Sequence, residues 1–308
     1  MDPALEIQGL AKAYGRCRAL DGLDLTVPAG SLFGLVGANG AGKTTMMSIC
    51  AGLLRPDAGR VDLLGEGAFD PLRHAGRVSI LPQDARLPRH ARVAALLAFY
   101  GRLQGVPADD LPQQVAQLLQ WVNLSERARD VVNSLSHGML RRLAVAQAFL
   151  GEPRLIFLDE PMSGLDPREV ARLRDLLRAR AGRQTIVISS HVLTELEALC
   201  DRVAFIDHGR LVRQDRLSDI MRHHQRVSYR IRPAPVPLAE LCAAVPGAEW
   251  SVAEGGGELI ALLDVENGGI AEVNAQVLPI LLRAGVAVEE VRRGSALEEE
   301  FLQATAAR

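Results

Sequence analysis

The sequence is poor in cysteine and has no cysteine pair with metal-binding spacing. Its four cysteines lie far apart, at Cys17, Cys50, Cys200 and Cys242. A zinc site needs closely spaced pairs of the CxxC type, and a small secreted scaffold needs a dense disulfide framework. The sequence argues against both, and we expect a protein of a reducing cytoplasm.

An excess of positive charge and a long apolar run are also missing. The 35 basic residues nearly cancel the 37 acidic ones, so the charge balance predicts no nucleic-acid partner. No stretch reaches the roughly 18 uninterrupted apolar residues of a membrane-spanning helix. The N-terminal stretch MDPALEIQGL lacks the basic and apolar regions of a signal peptide. We therefore expect a chain that neither enters nor crosses a membrane alone.

Hydrophobic residues are abundant, at 48% of 308 residues, which is enough for one large domain and one small one. Between residues 5 and 217, short apolar runs alternate with segments of helical period, a pattern that predicts an α/β domain at 1–220. Its predicted strands are SLFGLVG, RVSILPQ, RLIFLDE, QTIVISS and RVAFID. Strand patterns stop between 86 and 133, so we predict a helical subdomain at about 86–150.

The last part of the chain has a different pattern. VSYRIR alternates like a half-buried strand, PLAELCAAV has a helical period, and a second strand is predicted at 248–252 before a glycine-rich turn. ELIALL, NAQVLPILLRAG and VAVEEV then indicate strand, helix and strand. The order βαββαβ predicts a small α+β domain at 226–308, closed by a helix at 296–304.

A glycine-rich segment follows the apolar strand LFGLV and precedes the helical segment TTMMSICAGLL, and it matches the phosphate-loop pattern GxxxxGK[ST]. In such a P-loop the backbone N–H groups converge on phosphate oxygens, and the helix dipole adds positive potential. We predict that Lys43, one of only two lysines, reaches the β- and γ-phosphates and that the Thr44 hydroxyl ligates Mg²⁺. The predicted phosphate-binding residues are Gly37, Ala38, Asn39, Gly40, Ala41, Gly42, Lys43, Thr44 and Thr45.

Two adjacent carboxylates end the apolar strand LIFL, at Asp159 and Glu160. The carboxyl ends of strands are where α/β sheets bind ligands. We predict that Asp159 holds Mg²⁺, directly or through water, and that Glu160 polarises the attacking water. Together with the P-loop, this Walker B strand predicts an α/β P-loop protein that binds Mg-ATP.

Further short motifs resemble those of the ABC (ATP-binding-cassette) ATPases. Leu135-Ser-His-Gly-Met139 opens a predicted helix 20 residues before Asp159 and resembles the LSGGQ signature of that family. The resemblance covers residues 5 to about 215 and implies a role for each matching residue. Tyr14 would stack on adenine, Gln83 would touch Mg²⁺ and the lytic water, Ser163-Gly-Leu-Asp166 would form the D-loop, and His191 would contact the γ-phosphate.

The signature departs from the family pattern at two positions, where His137 replaces its first glycine and Met139 its glutamine. Ser136 and Gly138 remain. The resemblance implies that the Ser136 hydroxyl and nearby N–H groups contact ATP held by a second subunit, so we expect activity to be retained. His137 would strain the loop if the position required a positive φ, and would add charge near phosphate at low pH.

The resemblance also implies partners. Two cassettes would face each other head to tail as a homodimer, or as a pair with a sister cassette, with each ATP between Lys43 of one and Ser136 of the other. ATP binding and hydrolysis would drive a separate membrane permease, which contacts the cassette near Gln83. The expected location is the cytoplasmic face of the membrane, in a bacterium the inner membrane. The C-terminal domain resembles accessory domains of export-type ATPases.

Other functions fit parts of the pattern. Soluble ABC ATPases of ribosomes or DNA carry two cassettes or long coiled coils, whereas here 116 residues (159 minus 43) separate Lys43 from Asp159 without a heptad array. An inactive cassette would explain the unusual signature, but Glu160 and His191 are in place. Import is the alternative to export.

Overall fold

The computed structural model describes residues 2–223, 225–253, 255–263, 270–294 and residue 297. The chain divides into two compact units between Gln214 and Asp215. Within the described residues, no helix combines the length and the apolar character that a membrane crossing requires.

The strands of the first unit are β1 Pro3–Tyr14, β2 Cys17–Pro28, β3 Leu32–Val36, β4 Ala58–Leu63, β5 Val78–Leu81, β6 Leu155–Asp159, β7 Thr185–Ser189, β8 Arg202–Asp207 and β9 Arg210–Arg216. Six of them form one sheet in the order β5-β6-β7-β3-β8-β9, with parallel pairing from β5 to β8. β3, β6 and β7 are buried along their whole length, which explains their continuous apolar sequences. Their carboxyl ends therefore meet at one edge.

A second sheet of this unit, in the order β2-β1-β4, is antiparallel. Ile7 of β1 pairs with Leu25 of β2 and with Val61 of β4. All three side chains are buried in the same core cluster as Phe33 of β3, so both sheets contribute to one core. This sheet was not predicted from the sequence.

The helices of the first unit are α1 Lys43–Cys50, α2 Pro71–His74, α3 Val93–Leu103, α4 Leu111–Trp121, α5 His137–Ala148, α6 Pro167–Arg178 and α7 Leu193–Glu197. In the described chain no strand lies in 82–154. Buried residues such as Leu97, Leu118 and Leu143 face inward from α3, α4 and α5.

The second unit contains α8 Leu217–His223, β10 Gln225–Ile231, α9 Leu238–Ala244, β11 Glu249–Val252, β12 Glu258–Leu263, α10 Ile270–Arg283 and β13 Val288–Arg293. The antiparallel sheet has the order β11-β12-β10-β13. The element order from β10 onward is the βαββαβ order read from the sequence. The predicted boundary at 220 falls within α8, and the predicted closing helix at 296–304 lies, except for Leu297, outside the described residues.

Candidate functional site

The P-loop connects the carboxyl end of β3 to α1 and curls around the ammonium of Lys43. Gly42 has φ 107°, and a Cβ there would lie 2.4 Å from the Ala19 carbonyl oxygen, so only glycine fits. Lys43 Nζ donates to the carbonyl oxygens of Gly37 at 2.7 Å and Ala38 at 3.1 Å. Burial lowers the pKa of Lys43, and the nearby carboxylates oppose that shift.

Thr44 and Asp159 bring two oxygen ligands together at this edge. Thr44 is the second residue of α1, and its Oγ1 donates to Oδ2 of Asp159 at 2.6 Å. Asp159 ends β6 and is buried, and its other carboxylate oxygen accepts from the Ser189 hydroxyl at the end of β7. A hydroxyl and a carboxylate oxygen are ligands that Mg²⁺ prefers.

Glu160 has a strained backbone conformation, which hydrogen bonds from neighbouring groups stabilise. Its φ of 52° lies in the left-handed region, which costs a non-glycine residue about 1–2 kcal/mol. Its N–H donates to Ser189 Oγ at 2.9 Å, and His191 Nδ1 lies 2.6 Å from Glu160 Oε2. The carboxylate is nearly buried, whereas the His191 side chain is 59% exposed. The pair can thus act on a water that enters from the solvent side.

Arg141 holds the same strand end from the signature helix α5. Its Nη2 donates to the carbonyl oxygens of Asp159 and Glu160, both at 2.6 Å, and its Nη1 to the carbonyl oxygen of Gln83 at 3.0 Å. Burial lowers the pKa of the guanidinium, against the attraction of nearby carboxylates. Sequence analysis missed both Arg141 and Ser189. A polar residue ending an apolar strand was the available signal for Ser189, and Arg141 had none.

Part of the P-loop, together with Gln83, Asp159 and Glu160, surrounds a cavity of about 420 Å³. Cys17 and Ala19 at the start of β2 also line it, although the sequence did not suggest them. Tyr14 is 53% exposed at the end of β1 and, in the described part of the chain, is not among the lining residues. The lining consists of Cys17, Ala19, Asn39, Gly40, Ala41, Gly42, Lys43, Thr44, Thr45, Gln83, Asp159 and Glu160.

The signature residues lie at the N-terminus of α5. Ser136 is the N-cap, and its Oγ accepts from the Met139 N–H at 3.3 Å. His137 is the first helical residue and has no positive φ, so the condition for strain at this position is not met. A Cβ on Gly164 would lie 2.8 Å from Cε1 of His137, which shows that the ring packs on the predicted D-loop.

Asp166, at the end of that loop, is used locally. Its Oδ1 accepts from the backbone N–H groups of Arg168 at 2.9 Å and Glu169 at 3.0 Å and so caps α6. Within the described residues, neither Asp166 nor Ser136, His137 or Gly138 lines the cavity beside Lys43. The structure therefore brings together the P-loop, Gln83, Asp159, Glu160 and His191, and leaves the signature and D-loop residues outside the cavity.

Comparisons with known proteins agree with this geometry. The ABC transporter family model matches residues 20–163. The chain is 38% identical over 226 residues to the Nod factor export ATP-binding protein I of Ralstonia nicotianae, covering 72% of this chain and 70% of that protein. It is 34% identical to the daunorubicin resistance ATP-binding protein DrrA3 of Streptomyces coeruleorubidus, covering 99% of this chain and 96% of that protein.

Solved structures show the same fold. An ATP-binding subunit of an ABC transporter superposes with a TM-score of 0.65 at 26% identity, covering 71% of this chain and 92% of that one. A dimeric ATP-binding cassette with ADP and phosphate superposes with a TM-score of 0.64 at 20% identity, covering 69% of this chain and 98% of that one. From these identities and coverages, the chain belongs to the family of ABC transporter ATP-binding subunits, which are ATPases.

Proposed function

We propose that two copies of this chain hydrolyse Mg-ATP at sites they share and thereby drive the export cycle of a separate membrane permease. The carrying observation is that Ser136, His137 and Gly138 form a helix N-terminus outside the cavity of Lys43. The N–H groups and dipole of such a terminus suit a phosphate. Head-to-tail pairing would place it, with the adjoining loop that ends at Asp166, against the ATP held by the other copy.

The P-loop residues bind the triphosphate. Backbone N–H groups of the loop would donate to phosphate oxygens, and Lys43 would exchange its two carbonyl acceptors for the β- and γ-phosphates. Since Lys43 is only 7% exposed, its charge acts in a medium of low dielectric, where it attracts phosphate more strongly than in water. Tyr14, on the exposed end of β1, would stack on the adenine ring.

Mg²⁺ fits the pair of oxygens at the end of β6. Thr44 and Asp159 would hold it, with Gln83 at the rim, and the phosphates and water would complete the ligand set. The described residues contain no cluster of three His, Cys, Asp or Glu side chains that could hold a metal ion. The ion would neutralise charge on the phosphate oxygens as the bond to the leaving group breaks.

Glu160 and His191 would activate the attacking water. Glu160 accepts a proton from the water while the oxygen of that water bonds to the γ-phosphorus. At the same time the bond from the γ-phosphorus to the β–γ bridging oxygen breaks, and ADP leaves. His191, hydrogen-bonded to Oε2 of Glu160, orients the carboxylate and lies where it can contact the γ-phosphate. The products are ADP and inorganic phosphate.

A groove of about 680 Å³ is our candidate for the permease contact. It lies between residues 85–89, which follow Gln83, and residues 132–140, which lead into α5. Arg86 and Arg89 line it and are exposed, so a permease segment with acidic side chains would complement its charge. Export is supported by the similarity to a Nod factor export protein and to a daunorubicin resistance protein, and the subunit would sit on the cytoplasmic face of the membrane.

Steady-state ATP hydrolysis against enzyme concentration tests the proposal. The rate per subunit should rise with concentration because the site needs two copies. Glu160→Gln removes the proton acceptor but keeps the shape, so it should abolish turnover and leave an ATP-dependent dimer in light scattering. A wild-type chain that binds ATP but neither dimerises nor hydrolyses it would contradict the homodimer and favour a sister cassette or an inactive one. Stimulation by ribosomes or DNA, and not by a permease, would favour the soluble alternative.

A further inference from the structure

We propose that Arg141 is a positioning residue for hydrolysis, through which the signature helix holds the backbone of Glu160 and of Gln83 in one arrangement. The inference rests on the proposed role of Glu160 as proton acceptor. No motif described above includes Arg141, and its side chain does not line the cavity within the described residues. It therefore acts through the backbone of the residues that do.

The backbone of Glu160 has a strained conformation that Arg141 helps to fix. A left-handed φ on a glutamate persists only where surrounding groups determine it. Ser189 accepts the hydrogen bond from the Glu160 N–H, and Arg141 donates to the carbonyl oxygens of Asp159 and Glu160. Both peptide groups that flank the Glu160 Cα are thus fixed, and with them the direction of its carboxylate.

The guanidinium of Arg141 has a planar geometry that lets it reach two segments at once. One planar group donates to carbonyl oxygens of two separate segments, β6 and the Gln83 loop, from a third segment, α5. A lysine ammonium could not span these acceptors because its three donors leave a single nitrogen.

Arg141 connects the loop that leads to the proposed permease groove with the backbone of Glu160. Residues 85–89 of the proposed permease groove follow Gln83 with only Asp84 between them. A displacement of the Gln83 carbonyl would act on the same guanidinium that holds Glu160. Arg141 thus links the groove to the position of the carboxylate that receives the proton, and permease contact would change turnover more than nucleotide affinity.

The test compares Arg141→Lys with Arg142→Lys, the same change one residue along the helix. Arg142 is also largely buried, but it donates to the carbonyl oxygens of Val122 at 2.6 Å and Asn123 at 3.0 Å, in the helical subdomain. Since a misplacement of about 1 Å can cost roughly 100-fold in rate, Arg141→Lys should lower kcat by roughly 10- to 100-fold. The KM of Arg141→Lys for ATP should stay within about twofold of wild type, because Arg141 makes no phosphate contact. The kcat of Arg142→Lys should also stay within about twofold, because the hydrogen bonds of Arg142 go to Val122 and Asn123 and not to Glu160 or Gln83.

Thermal unfolding of both variants shows whether they are equally folded, and Glu160→Gln is measured beside them. Equal kcat for the two lysine variants, with Glu160→Gln inactive, would overturn the role of Arg141 alone. Full activity of Glu160→Gln would instead overturn the proposed function. If Arg141→Lys does not fold, Arg141→Gln carries the same comparison. If neither folds while Arg142→Lys does, Arg141 is a residue of the core and the proposal is overturned.

Discussion

Replacement of Ser189 by alanine probes how the structure supports the carboxylates of Asp159 and Glu160. Ser189 is fully buried, and its Oγ both accepts from the Glu160 N–H at 2.9 Å and donates to Asp159. Alanine would leave a buried N–H without a partner, at about 1–3 kcal/mol, and would remove a charge-assisted hydrogen bond of about 1.5–3 kcal/mol. Because one side chain makes both bonds, we expect a total loss of about 2–4 kcal/mol in the free energy of unfolding.

Ser190→Ala is the matched control. Ser190 is also buried, and its Oγ donates to Glu195 at 2.7 Å and accepts from the Val192 N–H at 3.0 Å, away from Glu160. Urea unfolding should show comparable losses for both variants. Only Ser189→Ala should lower kcat, by roughly 10-fold or more, because it releases the Glu160 backbone. Equal kcat values for the two variants would refute the claim that Ser189 positions Glu160.

Three further predictions concern Cys17, with Cys242 as its control, the ion pair of Lys12 and Asp57, and His137. N-ethylmaleimide should label exposed Cys17 and Cys242, and ATP should slow only Cys17, which lines the cavity; equal slowing would place the nucleotide elsewhere. Hydrogen bonds from Lys12 and a backbone N–H hold the pKa of Asp57 below its ordinary 3.8. The ionised carboxylate therefore stabilises the folded state above about pH 4, and this contribution is lost as the pH falls through the folded-state pKa. The difference in unfolding midpoint between wild type and Lys12→Met should therefore shrink on acidification, and a constant difference from neutral to strongly acidic pH would contradict it. His137→Gly should keep kcat within about threefold, since His137 is not strained and the Ser136 cap is unchanged; a much larger loss would assign the imidazole a role at phosphate.

The P-loop and Walker B residues could be predicted because their chemistry is local. A glycine-rich turn between a strand and a helix, and carboxylates at a strand's end, have the same meaning in any P-loop protein. Parallel strands then bring Thr44 and Asp159 together, although 115 residues separate them. The βαββαβ order was readable for the same reason, since each element has its own period.

Other features depend on contacts that no local pattern contains. Arg141 resembles any helical arginine until the fold places four carbonyl oxygens around it. In the β1-β2-β4 sheet, register shifts interrupt the alternation of β1, whereas the regular alternation of Leu23, Leu25 and Val27 in β2 was an available signal. The partner side of the proposed site, at Ser136, was expected only from the resemblance of the signature motif, because the chemistry of these residues within one chain does not point to a nucleotide.

A mixing experiment tests the shared site most directly. Lys43→Met keeps the side-chain stem without its charge, and Ser136→Asp keeps a good helix cap while its charge repels phosphate. Each variant alone should be inactive. A mixed dimer has one intact site, formed by Lys43 of one subunit and Ser136 of the other, so with random pairing a two-fold symmetric dimer predicts about a quarter of the wild-type rate in an equimolar mixture. A mixture no more active than the sum of the separate variants would contradict a site that two copies of this chain share.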